Sequence, residues 1–245
     1  ALHSTPEAAG EPQPLARDGV VVAADARLDN REELSRELAL PPATGDAGLI
    51  AAAYQRWGEL CPERLEGDFA FVLWDGRARR LLCARDRFGV RPLHLHHQPG
   101  RLLAVASEPA AILVLKEIPY RINEARIADF LVTRLEGVDL TPTFFEGIER
   151  LPPAHLLTAD NRGVRRQRYW ELTPGPELRR ASDEAFAEAF LEVFTAAVRR
   201  RLRGVDTVGA MLSGGMDSGS VIAVARELRA GAGEGPLPVF SAVGP

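Results

Sequence analysis

The sequence is poor in cysteine: Cys61 and Cys83 stand 22 positions apart, with no histidine partners at metal-ligand spacing. They read as ordinary buried thiols rather than a zinc site. Long apolar runs are also missing. The stretch "AAILVL" at 110–115 is far too short to cross a bilayer, and no charged-then-apolar signal segment opens the chain. Nor is there an excess of positive charge. A formal net charge of -4 provides no global field to attract nucleic acid or an anionic membrane. The expectation is a cytoplasmic protein with neither nucleic acid nor a membrane among its partners. There is no initiator methionine; the chain opens at Ala1 in the Pro-rich "HSTPEAAGEPQPLARDG", which has no core-forming periodicity, and closes on "PLPVFSAVGP". Both ends are expected to be incomplete. What is present is 245 residues, 46% apolar and 26% charged, enough to bury a substantial core in one large domain or two smaller ones.

From Gly19 to about Trp170 the pattern is mostly short strands, "VVVAADARL", "FAFVLW", "RLLCARD", "LLAVAS" and "RRQRYW", separated by Gly, Pro and Asp turns. Helices interrupt them. Asn30 can cap one with Glu32 and Glu33 in its first turn, and Asp46 can cap another that places Ile50, Tyr54 and Trp57 along one side. Pro109 suits the first turn of a short helix, and "INEARIADFLV" supplies a fourth. The breaker segment "ELTPGPELRRA" then leads to a different pattern. Ser182, Asp183 and Glu184 start a long helix in which Phe186, Phe190, Val193, Phe194 and Ala197 recur at helical spacing, with Arg199 to Arg203 near its negative end. Next come the strand "TVGAML", the loop "SGGMDS", the helix "GSVIAVARELRA" and the strand "PLPVFSAV". This order is the βαβ unit of a doubly wound parallel sheet. The domain expectation is therefore residues 1–172 and residues 173–245.

A loop between a parallel strand and the following helix aims backbone N–H groups and the positive helix end at whatever sits above the sheet. Gly214 and Gly215 let that backbone approach a bulky anion, and the hydroxyls of Ser213 and Ser218 can donate to phosphate oxygens. Asp217 is repulsive in an anion site unless a cation bridges it, which points to Mg²⁺ with a nucleotide. Gly209 and Gly214 have the separation of G-x-x-x-x-G-K-S, yet position 215 is glycine where that motif needs lysine. A plain strand-to-helix turn accounts for the two glycines but not for the Ser, Asp and Ser around them.

"LSGGMDS" resembles the S-G-G-x-D-S pyrophosphate loop of ATP-pyrophosphatase ligases. The preceding region resembles the N-terminal domain of asparagine synthetases: "LEGDFAFVLWD", "LLCARDRFGVRPLH", "VASEPAAIL" and "FFEGIERLPPAHLL" follow that family's order and spacing. The resemblance implies an α+β N-terminal sandwich of the glutamine amidotransferase kind, antiparallel sheets with outer helices. After it would come the start of an α/β doubly wound parallel-sheet synthetase domain. It further implies that Ser213, Gly214, Gly215, Asp217 and Ser218 hold pyrophosphate and its Mg²⁺, and that Leu212 and Ala242, at the ends of two parallel strands, contact the adenosine of ATP. A substrate carboxylate would attack the α-phosphate, pyrophosphate would leave, and an amine would displace AMP to give an amide.

The glutaminase half matches its family less well. Working members begin with a cysteine nucleophile, and this chain starts at Ala1. The family's Asn-Gly-Glu run falls on Asp25, Ala26 and Arg27, and an arginine there should repel the α-ammonium of glutamine. Only Asp46 matches the second acid of that site. Members with a degenerate glutaminase half include β-lactam synthetases and lasso-peptide cyclases, and "DARLDNREEL" looks more like the cyclases. The leading expectation is an ATP-dependent ligase or cyclase that makes a lactam or macrolactam from a small-molecule or peptide carboxylate without glutamine. Leader-peptide-processing proteins are its implied partners, and a homodimer its implied assembly. Two alternatives stand beside it: a glutamine-hydrolysing asparagine synthetase whose cysteine segment precedes Ala1, and a catalytically silent binding fragment.

Other conspicuous residues have ordinary explanations. His94 and His96 of "HLHH" lie on one face of a strand and read as structural. The arginine runs at 199–203 and 165–168 read as a solvated helix end and an edge strand. Asp68, Asp86 and Glu108 read as turn and ion-pair residues.

Overall fold

A computed structural model describes residues 5–132, 139–175, 177, 179, 182–204 and 208–242. The chain forms two compact units, one of Ala1–Leu2 with Gly10–Leu172 and one of His3–Ala9 with Thr173–Pro245. Helix α1 (Pro6–Ala9) belongs to the second. In the first unit the order is β1 (Leu15–Arg17), β2 (Val20–Leu28), α2 (Arg31–Glu37), α3 (Asp46–Trp57), a 3-10 helix (Gly58–Arg64), β3 (Gly67–Asp75) and β4 (Arg80–Arg85). There follow β5 (His94–Gln98), β6 (Leu102–Ala106), α4 (Pro109–Ile112), α5 (Glu124–Leu131), β7 (Glu149–Arg150), β8 (His155–Asp160) and β9 (Gly163–Arg168).

Alternation along the strands builds the layers. Strands β1-β2-β3-β4-β8-β9 make a six-stranded sheet and β6-β5-β7 a three-stranded one, with antiparallel pairing throughout. On β3, Phe69, Phe71 and Leu73 face a core shared with Leu34 of α2 and Leu49 and Ile50 of α3. Ala70 and Val72 face the opposite way, into a core with Cys83, Leu95, Leu103 and Leu157 that joins the two sheets. Beyond the smaller sheet, Leu102, Ala104 and Ala106 pack with Ile112 of α4 and with Ile118 and Ile148. The result is the expected α+β sandwich: helices, sheet, sheet, helix. Burying a side chain such as Phe71 or Leu73 contributes about 1.5–3 kcal/mol. Both cysteines are buried and free. Burial alone raises their pKa values, that of Cys83 to about 12, so neither is a thiolate near neutrality.

Two caps differ from expectation. Asn30 occupies the N-cap of α2, but its side chain leaves the helix. Its Nδ2 donates to Arg64 O at 2.9 Å and its Oδ1 accepts from Glu66 N at 3.0 Å, tying the start of α2 to the lead-in of β3. Asp46 is the first residue of α3 and not its cap; Gly45 is. The capping groups come from Glu11, whose two oxygens accept from Ala47 N at 2.9 Å and Gly48 N at 2.8 Å. A Cβ on Gly45 would displace the Glu11 carboxylate from these bonds. The other caps follow their sequence signals, with Asn123 accepting from Arg126 N at 3.1 Å and Ser182 from Ala185 N at 3.3 Å.

Asp86 organises the loop that joins the two sheets. Its buried carboxylate accepts from Phe69 N (3.3 Å), Phe88 N (3.1 Å), Val90 N (2.9 Å) and Arg91 N (2.9 Å). The neighbouring Arg85 donates to Arg91 O, Leu151 O and Gly89 O at 2.7, 2.7 and 2.6 Å, so one acid and one base satisfy backbone donors and acceptors on both sides of the turn.

The histidines of β5 are engaged with backbone. His94 Nδ1 donates to Ser107 O at 2.8 Å and His96 Nδ1 meets Gly147 O at 2.8 Å. Burial lowers the His94 pKa below its ordinary value of 6.5; the Ser107 carbonyl opposes that shift and the Arg150 charge adds to it. Folding therefore favours the neutral ring. As pH falls through about 6.5, the unfolded chain takes up a proton that the folded one resists, and stability is lost on the acid side. His94→Asn, which keeps a donor for Ser107 O, should lose less of its urea midpoint between pH 7.5 and 5.5 than the parent; equal losses would show that His94 does not set the acid limb.

In the second unit, α6 (Asp183–Leu202) precedes β10 (Ala210–Met211), α7 (Met216–Gly231) and β11 (Val239–Phe240). The two strands pair in parallel, Ala210 with Val239 and Met211 with Phe240, and α7 connects them. Both are shorter than the apolar runs "TVGAML" and "PLPVFSAV" suggest, and residues 207 and 243 of those segments lie outside the described set. The apolar stripe of α6 is not a buried core face: Phe186, Phe190 and Val193 are 44%, 69% and 70% exposed, and Val198 is its one buried residue among those described. No helix among the described residues is long and apolar enough to cross a membrane.

Candidate functional site

The strand–loop–helix of the second unit is built by local geometry. Leu212 follows β10 directly, and its N–H donates to Phe240 O at 2.8 Å, extending the parallel pairing to the edge of the loop. Gly214 then takes a left-handed φ of 82°, a conformation costly for any residue with a Cβ. Gly215 returns to extended backbone as the N-cap of α7. Met216, Asp217 and Ser218 form the first helical turn, where N–H groups lack intrahelical acceptors and the macrodipole is positive. Ala242 lies two residues past the end of β11, on the same carboxyl-end side of the paired strands as Leu212.

The polar atoms of the loop converge. Ser213 Oγ and Ser218 Oγ are 2.9 Å apart; Ser213 N donates to Ser218 Oγ at 3.2 Å, Ser218 Oγ donates to Gly215 O at 3.2 Å, and Gly215 N donates to Ser213 Oγ at 3.4 Å. Asp217 is exposed and makes no ion pair or side-chain hydrogen bond among the described residues. Beside the loop, an apolar cavity of about 560 Å³ runs between Val198 and Leu202 of α6, Ala210 of β10, and Val221 and Ala225 of α7. The arrangement offers an anion a turn of N–H donors, two hydroxyls and one unpaired carboxylate for a cation.

The glutamine-site positions of the first unit are separately engaged. Asp25 and Arg27 alternate onto the face of β2 turned away from α3, because Val22, Ala24, Ala26 and Leu28 supply the face packed with α3. Asp25 lies 3.6 Å from the Arg91 guanidinium, and Arg27 lies 3.9 Å from Asp29. Asp46, at the first turn of α3, accepts at its Oδ1 from the Arg31 guanidinium at 3.2 Å, with the Arg31 and Asp46 side chains only 7% and 4% exposed. The same guanidinium donates to Pro42 O and Thr44 O at 2.9 and 2.7 Å. A cavity of about 240 Å³ opens beside Asp25, bounded by Ala23, Ala70, Val105 and Ser107, with Gln13 Oε1 accepting from Ala24 N at 2.7 Å. Sequence reasoning missed Glu11, Gln13 and Arg31. Glu11 and Gln13 sit in a segment without periodicity, so only the turn residues around them carried a local signal; Arg31 stood next to the expected cap, Asn30, and took its explanation from it.

Comparison with known proteins matches residues 5–170 to the glutamine amidotransferase domain and residues 189–243 to asparagine synthase. The chain is 31% identical over 242 residues to asparagine synthetase [glutamine-hydrolyzing] 3 of Bacillus subtilis (strain 168), covering 95% of this chain and 38% of that protein. It is 34% identical over 224 residues to a putative asparagine synthetase [glutamine-hydrolyzing] of Mycobacterium tuberculosis (strain ATCC 25618 / H37Rv), covering 86% and 34% of the two. It is 32% identical over 202 residues to amidase chyE of Penicillium rubens, covering 81% and 29%. The chain thus spans between 29% and 38% of the length of these three relatives. With an antiparallel sandwich over the first match and a strand–Ser-Gly-Gly-Met-Asp-Ser–helix turn inside the second, the chain belongs to the asparagine synthetase family.

Proposed function

We propose that the protein carrying this chain activates a substrate carboxylate with ATP, releases pyrophosphate, and passes the acyl group from AMP to an amine. The observation that carries this reading is the loop Ser213 to Ser218, seated between two parallel strands at the start of α7. In it, the N–H groups of the first turn and the hydroxyls of Ser213 and Ser218 hold and orient the departing phosphates. Leu212 and Ala242 flank the adenosine. Asp217 has both carboxylate oxygens available, and a single carboxylate beside hydroxyls and phosphate oxygens suits Mg²⁺, a hard ion that is usually held by one or two carboxylates plus the nucleotide itself. Bound there, Mg²⁺ supplies neutralisation of the charge that develops on pyrophosphate. Asp217 is thus the residue that converts an anion-binding turn into a pyrophosphate-releasing one.

The reading extends to the first unit: it does not hydrolyse glutamine. Arg27 stands where an acid would face the α-ammonium, and the remaining acid, Asp46, is neutralised by Arg31. The amine then comes from the substrate, and a lactam or macrolactam is the product, in a cytoplasmic homodimer that works with leader-peptide-processing proteins when the substrate is a peptide. The names of the bacterial relatives favour a second reading, a glutamine-hydrolysing asparagine synthetase. One experiment separates the two. The full-length protein is incubated with ATP and candidate carboxylates, and separately with glutamine alone. AMP and pyrophosphate without ADP, and no glutamate above a buffer control, are expected. Formation of ADP would overturn the activation chemistry, and clear glutamate release would overturn the glutamine-independent reading.

A further inference from the structure

We infer that Ser218 is a positioning residue: its hydroxyl, with its proton given to Gly215 O, ties together the backbone of the loop on which phosphate binding depends. The inference rests on the nucleotide-loop reading and assigns a further task to one side chain within it. Its basis is the hydrogen-bond accounting around Gly214. Ser218 Oγ accepts from Ser213 N and donates to Gly215 O, both at 3.2 Å. With that proton committed to Gly215 O, the 2.9 Å contact between the two hydroxyls is made by Ser213 Oγ donating to Ser218 Oγ. Ser213 Oγ in turn accepts from Gly215 N at 3.4 Å. Each proton in this ring is donated once and Ser218 Oγ accepts twice, from Ser213 N and Ser213 Oγ, and the ring closes across the one residue of the loop with left-handed backbone, Gly214, whose φ is 82°.

The consequence is directional. Glycine at positive φ has no side chain to hold its peptide planes, and a Cβ at Gly214 would meet nothing within 4 Å, so packing does not hold the turn either. The two Ser218 bonds instead hold the peptides that flank this glycine, 212–213 through Ser213 N and 215–216 through Gly215 O, and Ser213 Oγ reaches the 214–215 peptide through Gly215 N. Removing the Ser218 hydroxyl takes the partner from Ser213 N and leaves Gly215 O with its helical bond from Gly219 N at 3.1 Å alone, whereas removing that of Ser213 leaves both Ser218 bonds in place. Ser218 is thus the keystone of the pair. A serine at the third helical position whose hydroxyl bonds the carbonyl three residues back is a common local arrangement, and threonine makes the same bond.

The test compares Ser218→Ala and Ser218→Thr in the full-length protein. Hydrogen exchange is followed by mass spectrometry over the peptide 211–219 without added nucleotide, and KM and kcat for ATP are measured in ATP–pyrophosphate exchange. Ser218→Ala should speed exchange in that peptide by about fivefold or more, the factor one ordinary hydrogen bond represents. Its KM for ATP should rise about five- to tenfold, a larger change than in kcat. Ser218→Thr should restore both to within about twofold, since the hydroxyl and its carbonyl bond return. Unchanged exchange in Ser218→Ala would overturn the inference, and so would a folded Ser218→Thr protein as impaired as the alanine variant. If the parent protein shows no ATP–pyrophosphate exchange, the nucleotide reading fails, and the hydrogen-exchange comparison still decides whether Ser218 holds the loop.

Discussion

Asp217→Asn is expected to lower ATP–pyrophosphate exchange by the full-length protein by on the order of 10²- to 10³-fold, the cost of removing one preorganised charge-stabilising group from a transition state. The substitution keeps size and hydrogen-bonding shape but removes the negative charge that a cation needs to bridge the loop and the phosphates. Asp217 is exposed in the first turn of α7, where its favourable interaction with the helix dipole amounts to about 0.3–1 kcal/mol. The melting temperature of the variant should therefore change little while exchange is lost. That contrast is what a role in holding the cation predicts and what a role in folding does not. Exchange at the parent rate would remove Asp217 from the chemistry.

Asp86→Ala is expected to cost the first unit about 3 kcal/mol or more in urea unfolding. The carboxylate is buried and accepts from four backbone N–H groups, of Phe69, Phe88, Val90 and Arg91. Hydrogen bonds to a charged group contribute about 1.5–3 kcal/mol each, and their losses overlap when one side chain makes them all. Alanine would also leave the Arg85 guanidinium, which donates only to carbonyls in this turn, without the adjacent negative charge. Asp86→Asn should fall between, because one amide oxygen can serve only part of the set. Trp170, edge-on to Phe88 at 5.5 Å, reports the loop through its fluorescence. A loss below about 1 kcal/mol would mean that solvent reaches these N–H groups.

Much of the architecture was legible because the relevant signals are local. "FAFVLW" and "RLLCARD" were read as strands, and in the fold their alternation puts Phe69, Phe71 and Leu82 in one core and Ala70 and Cys83 in the other. The strand "HLLTAD" escaped because β8 lies between β4 and β9 inside the sheet, and Leu156, Leu157 and Thr158 are all buried, so no alternation shows. The stripe of α6 was visible as a period, but periodicity says which residues share a face and not whether anything covers it.

The Ser213–Ser218 loop was readable as a strand-to-helix turn for the same reason. Gly214, Gly215, Asp217 and the two serines are contiguous, and a contiguous turn between a strand and a helix carries its geometry in its own residue types. The sequence by itself therefore determined the strand–turn–helix, its glycines and the exposed carboxylate of Asp217 in the first turn. Tertiary structure decided the rest: that Glu11, rather than Asp46, caps α3 from 36 residues away, that Arg31 takes Asp46, that Asn30 turns from its helix to β3, and that Asp86 gathers a loop. These are single polar contacts between distant segments. A side chain's partner there is set by which backbone groups folding buries beside it, and no local periodicity or propensity encodes that.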